Sequence, residues 1–297
     1  MEKIENKKKK KSCSIWTVLN YTIITAIVII CVYPFLNVLS TSLSSNAAIM
    51  SGAVSWHPVD FRIDAYREIL KQRQIWSAMR VSLVVTVSGT ALGLFMTVCA
   101  AYALSKPKLK GRKIINGFIL FTMYFSGGII PTFLVVKNLG MYDQLAALVI
   151  PSSMNVFNFI VMRTFFKGLP AELEEAAYLD GANDIQVLFR VVLPLSLPII
   201  ATIGLFYAVS YWNEYFSSLL YIQSPGKYTL QLRMRQLLFA GEVNQISGNS
   251  AEGLGSQVMP EALKMASIIV STIPILVIYP WLQKYFVKGV MLGSVKG

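Results

Sequence analysis

Long apolar stretches alternate along the chain with shorter polar ones. Six of them are long enough to cross a bilayer, which takes about 20 mainly apolar residues per helix. They run roughly Ser14–Ser40, Met79–Leu104, Ile115–Val136, Leu145–Phe166, Leu197–Tyr221 and Ala266–Val287. No segment alternates with a period of two strongly enough to suggest a barrel. The pattern therefore predicts an all-α membrane protein with six transmembrane helices. A basic tail over residues 1–13 precedes one membrane domain over 14–297. No small-residue cleavage site follows the first stretch, so it reads as an uncleaved helix and not a signal peptide.

Within this pattern the third stretch carries Gly127, Gly128 and Pro131, which predict a broken helix. Such a break is tolerated only where protein or a cavity satisfies the freed backbone groups. In the second stretch Gly89 and Gly93 form a small-xxx-small pair suited to helix packing. Two loops on one side are long. Thr41–Ser77 contains an amphipathic piece at Ile63–Lys71, and Gln223–Leu263 is rich in Gly, Ser, Asn and Gln.

The polar segment Leu169–Pro198, within a loop over about 167–196, reads as two short helices joined at a glycine. Pro170 suits a first helical position, and Glu172, Glu174 and Glu175 sit where the helix dipole favours anions. Leu173, Ala176, Ala177 and Asp180 recur at helical spacing and make one small, mostly apolar face. Gly181 can take the left-handed conformation that ends a helix, and Asn183 can cap the next. The second helix carries Ile185, Leu188, Phe189 and Val192, and Pro194 is expected to stop it. A compact helix–Gly–helix on a membrane protein is a docking surface.

Composition agrees with a membrane class: 55% of residues are hydrophobic and 14% charged, against about 25% charged in soluble domains. Lys7–Lys11, the group Lys106, Lys108, Lys110, Arg112 and Lys113, the group Arg163, Lys167 and Arg190, and the group Lys284, Lys288 and Lys296 all fall on one side of a six-span topology. By the positive-inside rule that side, with both termini, is cytoplasmic. The net charge of +12 then reflects membrane anchoring and calls for no nucleic acid. Cys13, Cys31 and Cys99 have neither disulfide nor zinc spacing, and His57 is the sole histidine.

Catalytic chemistry is absent from the pattern: there is no P-loop and no Ser/His/Asp or metal-ligand cluster. The lone acidic residue inside an expected span is Glu214, beside Tyr211, Trp212, Asn213 and Tyr215. A carboxylate in a membrane is by default a pathway candidate. Aromatic faces with amide and carboxylate acceptors suit a sugar ring, whose C–H face stacks while its hydroxyls need polar partners. Tyr211, Trp212, Asn213 and Glu214 are thus candidate substrate-pathway residues; the alternative is an aromatic belt at the outer interface.

The spacing Glu175-Ala176-Ala177, three residues, Gly181, nine residues, Val191-x-Leu193-Pro194 resembles the EAA loop of binding-protein-dependent ABC importer permeases. Asp180 and Ala182 fit the same pattern, with Val191 where isoleucine is usual. Ile130-Pro131, Met162-Arg163-x-Phe165-Phe166, Trp212-Asn213-Glu214-Tyr215-Phe216 and the ending QKYFVKGVMLGSVKG resemble the carbohydrate branch, in particular the MalG-type and LplC-like permeases of complex oligosaccharide importers. The resemblance covers the chain after its lysine tail.

That resemblance implies a type I ABC importer permease fold in a bacterial cell membrane and a non-catalytic role in sugar or oligosaccharide uptake. The implied partners are a second homologous permease, two cytoplasmic ATPase subunits and an extracellular solute-binding protein. No cofactor is expected on this chain, since Mg-ATP belongs to the ATPase subunits. Glu175, Ala176, Ala177, Asp180 and Gly181 are the implied ATPase-coupling residues. The alternatives are an ABC permease for a non-sugar solute and, less favoured, an ion-coupled transporter in which Glu214 carries a proton.

Overall fold

The computed structural model describes residues 15–237 and 259–294, and every regular element among them is helical. The basic tail over 1–13 and most of the loop Gln223–Leu263 lie outside the described residues. The chain divides into two units, residues 1–68 with 253–269, and residues 69–252 with 270–297.

In the first unit, α1 (Ile15–Ser42) is apolar on all sides and is buried only at its end, at Ser40, Thr41 and Ser42. A short capped helix, α2 (Asn46–Met50), follows, with the Ser45 hydroxyl accepting the Ala48 N–H. The loop beyond is pinned back by its own backbone: Arg62 N–H donates to Leu43 O at 2.8 Å, and Val59 N–H to Ser44 Oγ at 3.0 Å. Ser42 shares a 2.7 Å hydrogen bond with Tyr66 at the start of α3 (Asp64–Lys71), the amphipathic helix expected there.

The second unit is organised by α4 (Arg73–Ser105), which runs 33 residues and ends at Lys106, just before Pro107. A residue that precedes proline is pushed out of the helical region, and Lys106 is extended, with ψ 127°. The main packing partners of α4 are α8 (Val156–Lys167) and α12 (Leu197–Trp212). The fit against α12 depends on missing side chains. A Cβ added at Gly89 would lie 2.6 Å from the Tyr211 ring, and one at Gly93 would lie 2.9 Å from Tyr207. Thr97, one turn further, shares a 2.7 Å hydrogen bond with the Tyr207 hydroxyl. Gly89, Gly93 and Thr97 therefore form a groove that seats two tyrosines one turn apart.

The third apolar stretch breaks where its glycines predict. α5 (Arg112–Tyr124) and α6 (Ile129–Asn138) meet at 116°, with Gly128 at φ +88°. The other breaks correct the sequence reading. The fourth stretch, Leu145–Phe166, is not one helix: α7 (Ala146–Val149) stops before Pro151, and α8 begins only at Val156. The fifth, Leu197–Tyr221, is continuous only through α12, and α13 (Phe216–Tyr221) follows a gap at residues 213–215. Among the described residues three helices are long and apolar enough to cross a membrane, and up to five if each bent pair counts as one span. A helix over 230–237 (α14) and the long α15 (Pro260–Ser294), with Pro274 and Pro280 inside it, complete the described elements.

Candidate functional site

The helix–Gly–helix segment forms as its glycine and asparagine signals dictate, with Pro170 as the extended residue before the helix (ψ 127°) and not its first helical position. After Pro170, α9 (Ala171–Leu179) carries Glu172 and Glu174 in its first turn. Gly181, at φ +81°, donates to Tyr178 O at 3.0 Å, and Ala182 N–H reaches Ala177 O at 3.0 Å. These two bonds make a Schellman ending, which satisfies carbonyls the helix would otherwise leave open. Asn183 then starts α10 (Asp184–Val187) with a reciprocal capping box, each bond to Gln186 measuring 2.9 Å.

Pro194 does not stop the second helix. It has no N–H, and its ring crowds the carbonyl four residues earlier, so residues Leu188–Val192 adopt a π-helical turn instead. The chain continues through α11 (Leu193–Leu195) and turns by 84° into α12.

The two faces of this segment differ. Val187, Leu188 and Val192 are buried, and Ala177 and Ala182 pack against the core. Glu175, Ala176, Asp180 and Gly181 are exposed, as are Leu179 (89%), Ile185 (68%) and Phe189 (59%). Open apolar side chains around an acidic residue make a surface suited to a protein partner.

The fold also ties this loop to α4 in a way the sequence did not reveal. Glu174, not Glu175, forms an ion pair with Lys106, whose ammonium lies 4.2 Å over the Tyr102 ring. The two charged side chains are about four-fifths buried, at 23% and 21% exposure. Nearby, Tyr178 donates to Asp184 at 2.6 Å; partial burial and that acceptor hold its phenol above the ordinary value. Arg163 and Arg112 donate to the last carbonyls of α4, Leu104 O at 2.9 Å and Ser105 O at 3.3 Å.

A cleft of about 540 Å³ opens where the fourth stretch is broken. It is lined by Ser152, Met154, Asn155, Phe157 and Asn158 on one side, and by Phe206, Tyr207, Ser210 and Tyr211 of α12 on the other. Irregular backbone inside an apolar stretch needs partners, and the two tyrosines supply them. Tyr211 OH donates to Val149 O at 3.1 Å, and Tyr207 OH accepts the Asn155 N–H at 2.9 Å. The lining is amide, hydroxyl, thioether and aromatic, with no charged side chain.

Of the four pathway candidates, Tyr211 lines this cleft. Trp212 is buried and donates its Nε1–H to Ser271 O at 3.3 Å. Asn213 is exposed and bonds Val209 O at 2.9 Å, closing the end of α12. Glu214 is half-buried; its Oε1 accepts the Ser217 N–H at 2.8 Å at the start of α13, and its carbonyl accepts the Thr229 hydroxyl at 2.9 Å. Asn155, Asn158 and Tyr207 were not singled out from sequence. The available signal was two amides inside an apolar run, at Asn155 and Asn158.

With these features in view the comparisons are specific. Residues 89–292 match the family described as binding-protein-dependent transport system inner membrane component. The chain is 44% identical over 284 residues to the polygalacturonan/rhamnogalacturonan transport system permease protein YtcP of Bacillus subtilis (strain 168), across 95% of this chain and 99% of that one. It is 40% identical over 298 residues to protein LplC of the same organism, across 100% of both. In the crystal structure of a bacterial ABC transporter involved in the import of the acidic polysaccharide alginate, one chain superposes with a TM-score of 0.86 at 36% identity, covering 93% of this chain and 98% of that one. A capped helix–Gly–helix beside broken membrane helices, carried on a sequence this similar, places the chain in the family of inner membrane components of binding-protein-dependent transport systems.

Proposed function

We propose that the chain is one transmembrane subunit of an ATP-driven importer of oligosaccharides. It forms the pathway with a second, homologous permease, receives substrate from an extracellular solute-binding protein, and docks on two cytoplasmic ATPase subunits that bind Mg-ATP. The chain itself is non-catalytic and binds no cofactor, and both termini face the cytoplasm.

The observation that carries this reading is the loop over 167–196. Its inner face is built into the core while Glu175, Leu179, Ile185 and Phe189 stand open. Glu175, Ala176, Ala177, Asp180 and Gly181 are the coupling residues in this reading. Glu175 offers a charge, Ala176 permits close approach, Ala177 seats the helix on the core, and Gly181 holds the turn that keeps both helices rigid. ATP can drive transport through this loop only by binding one arrangement of the subunits more tightly than another.

The cleft supports an oligosaccharide as cargo. Its volume lies within the ~300–1,000 Å³ common for small-molecule sites, and aromatic faces with amides and hydroxyls suit a polyol. Tyr211 contributes to its wall; Trp212, Asn213 and Glu214 form the adjoining turn that orients it.

The test is reconstitution in proteoliposomes with a partner permease, an ATPase and a solute-binding protein from the same organism. The expected result is oligosaccharide uptake that requires ATP and binding protein. Uptake that follows a proton gradient and ignores ATP would replace this reading with an ion-coupled carrier.

A further inference from the structure

Three cations gather at the end of α4 with no acid among them. Arg163 and Arg112 donate to consecutive carbonyls there, Leu104 O and Ser105 O, which brings a guanidinium from α8 and one from the first turn of α5 to the same spot. Lys167 follows Arg163 by four residues on α8, so the two share a face. The Lys167 ammonium is held below the ordinary lysine value, by Arg163 first, then by desolvation and by Arg112. Like charges held this close oppose one another unless an anion answers them.

The chain does not supply that anion. Among the described residues none of the three has a carboxylate partner, and Glu174 is taken by Lys106. The α4 carbonyls account for only part of the donors. A guanidinium carries five N–H groups, and each arginine spends one on the helix end. Two guanidinium forks and an ammonium match the several oxygens of one phosphate.

A second observation at the same place concerns α5. It starts at Arg112, runs 13 residues, and none of them is buried. Ile115, Phe118 and Phe121 are exposed at 43%, 70% and 51%. Bare apolar surface thus begins beside the cations, in the order in which a lipid presents its chains and its headgroup. A soluble anion would answer the charges and leave the helix bare.

We propose that Arg112, Arg163 and Lys167 form a site for the phosphate of an anionic phospholipid whose acyl chains lie along α5. Basic pockets between membrane helices commonly take such headgroups. The proposal goes beyond the transport reading and needs only that the chain is embedded in a membrane.

The experiment is native mass spectrometry of the full chain, alone and assembled with a partner permease and ATPase, titrated with phosphatidylglycerol or phosphatidylcholine. Wild type is expected to bind phosphatidylglycerol more tightly. Lys167→Gln should weaken that binding by about fivefold, and Arg112→Gln with Lys167→Gln by more, leaving phosphatidylcholine unaffected. Lys167 is exposed and makes no hydrogen bond among the described residues, so its variant folds even where Arg112→Gln does not. Lys110→Gln with Lys113→Gln, which removes two exposed cations outside the cluster, should change binding by less than about twofold. Equal affinity for the two lipids overturns the proposal, and so does an equal loss in the Lys110 and Lys113 variant, which would mean a diffuse charged surface. Displacement of phosphatidylglycerol by glycerol phosphate at comparable concentration would replace the lipid with a soluble phosphate. Binding to the chain alone that vanishes on assembly would assign the cations to an acidic partner subunit.

Discussion

Tyr211 lies flat against the space where Gly89 has no side chain, so close that an added Cβ would come within 2.6 Å of its ring. The same side chain reaches the Val149 carbonyl freed by the broken fourth stretch. The glycine thus lets the tyrosine approach, and the tyrosine makes the break affordable. Gly89→Ala is expected to destabilise the protein by about 1–3 kcal/mol through overpacking. Gly117→Ala, where nothing lies within 4 Å of the added atom, should be neutral or stabilising by up to about 1 kcal/mol from helix propensity. Thermal unfolding of both variants in detergent is the comparison; equal melting temperatures would show that the groove is slack.

Charge in the coupling loop divides into two roles. Glu175 is exposed, so Glu175→Lys should leave the isolated chain as stable as wild type yet fail to retain the ATPase, at a cost of about 2–5 kcal/mol in binding. Glu174→Gln should do the reverse, leaving the largely buried Lys106 without its carboxylate at a cost of about 1–3 kcal/mol in stability. Melting temperature together with ATPase co-purification separates them. If Glu175→Lys recovers the ATPase normally, the docking role passes to another part of the surface.

Gly181 tests whether the bend between α9 and α10 matters as a shape. Its φ of +81° is out of reach for a proline ring fixed near −65°, so Gly181→Pro should abolish uptake while the chain still inserts in the membrane. Gly181→Asn, a residue that tolerates the left-handed conformation, should retain most of it. Uptake assays with membrane-fraction immunoblots are sufficient, and wild-type transport by the proline variant would contradict the model of a rigid coupling loop.

A carboxylate clasp holds two loops of the second unit. Asp143 accepts the Ser224 hydroxyl at 2.5 Å, the Ser224 and Gln223 N–H groups at 2.9 and 3.0 Å, and the Lys227 ammonium at 3.3 Å. The Ser224 hydroxyl and N–H, with smaller help from Gln223 and Lys227, hold its carboxyl well below the usual carboxylate range. The depressed folded-state value means the stabilisation is complete above the unfolded value of ~3.9 and is lost as pH falls through the folded one. Asp143→Asn should therefore lower the melting temperature by the same amount at every pH between about 5 and 8. A difference that shrinks toward pH 5 would mean that the clasp titrates in that range.

Sidedness can be read with single cysteines in a background where Cys13, Cys31 and Cys99 are replaced by serine. Labels at Pro107 and Asn183, both exposed, should react from the cytoplasmic side, and one at Pro225 from the other. A label at Asn249, outside the described residues, should behave like Pro225. Reaction of Pro225 and Asn183 from one side would require a different number of crossings.

What was legible in the sequence was local. The capped ends at Gly181 and Asn183, the break at Gly128 and the packing pair Gly89–Gly93 each depend on a few neighbouring residues whose backbone preferences are strong, and each appears where it was expected. The class of protein was legible too, because burial in lipid requires long apolar runs whatever the tertiary fold. Hydropathy sums over a window, so it could not separate a continuous helix from the sequence α7, break, α8, nor see that the fifth stretch stops at Trp212. Those breaks persist because partners distant in sequence satisfy them: Tyr207 for Asn155, Tyr211 for Val149. Lys106 and Glu174 pair across 68 residues for the same reason. The sequence determined which segments are apolar and where the coupling loop is capped; the tertiary structure decided where the helices break and which polar groups are left to face a cleft, because that depends on contacts no local pattern encodes.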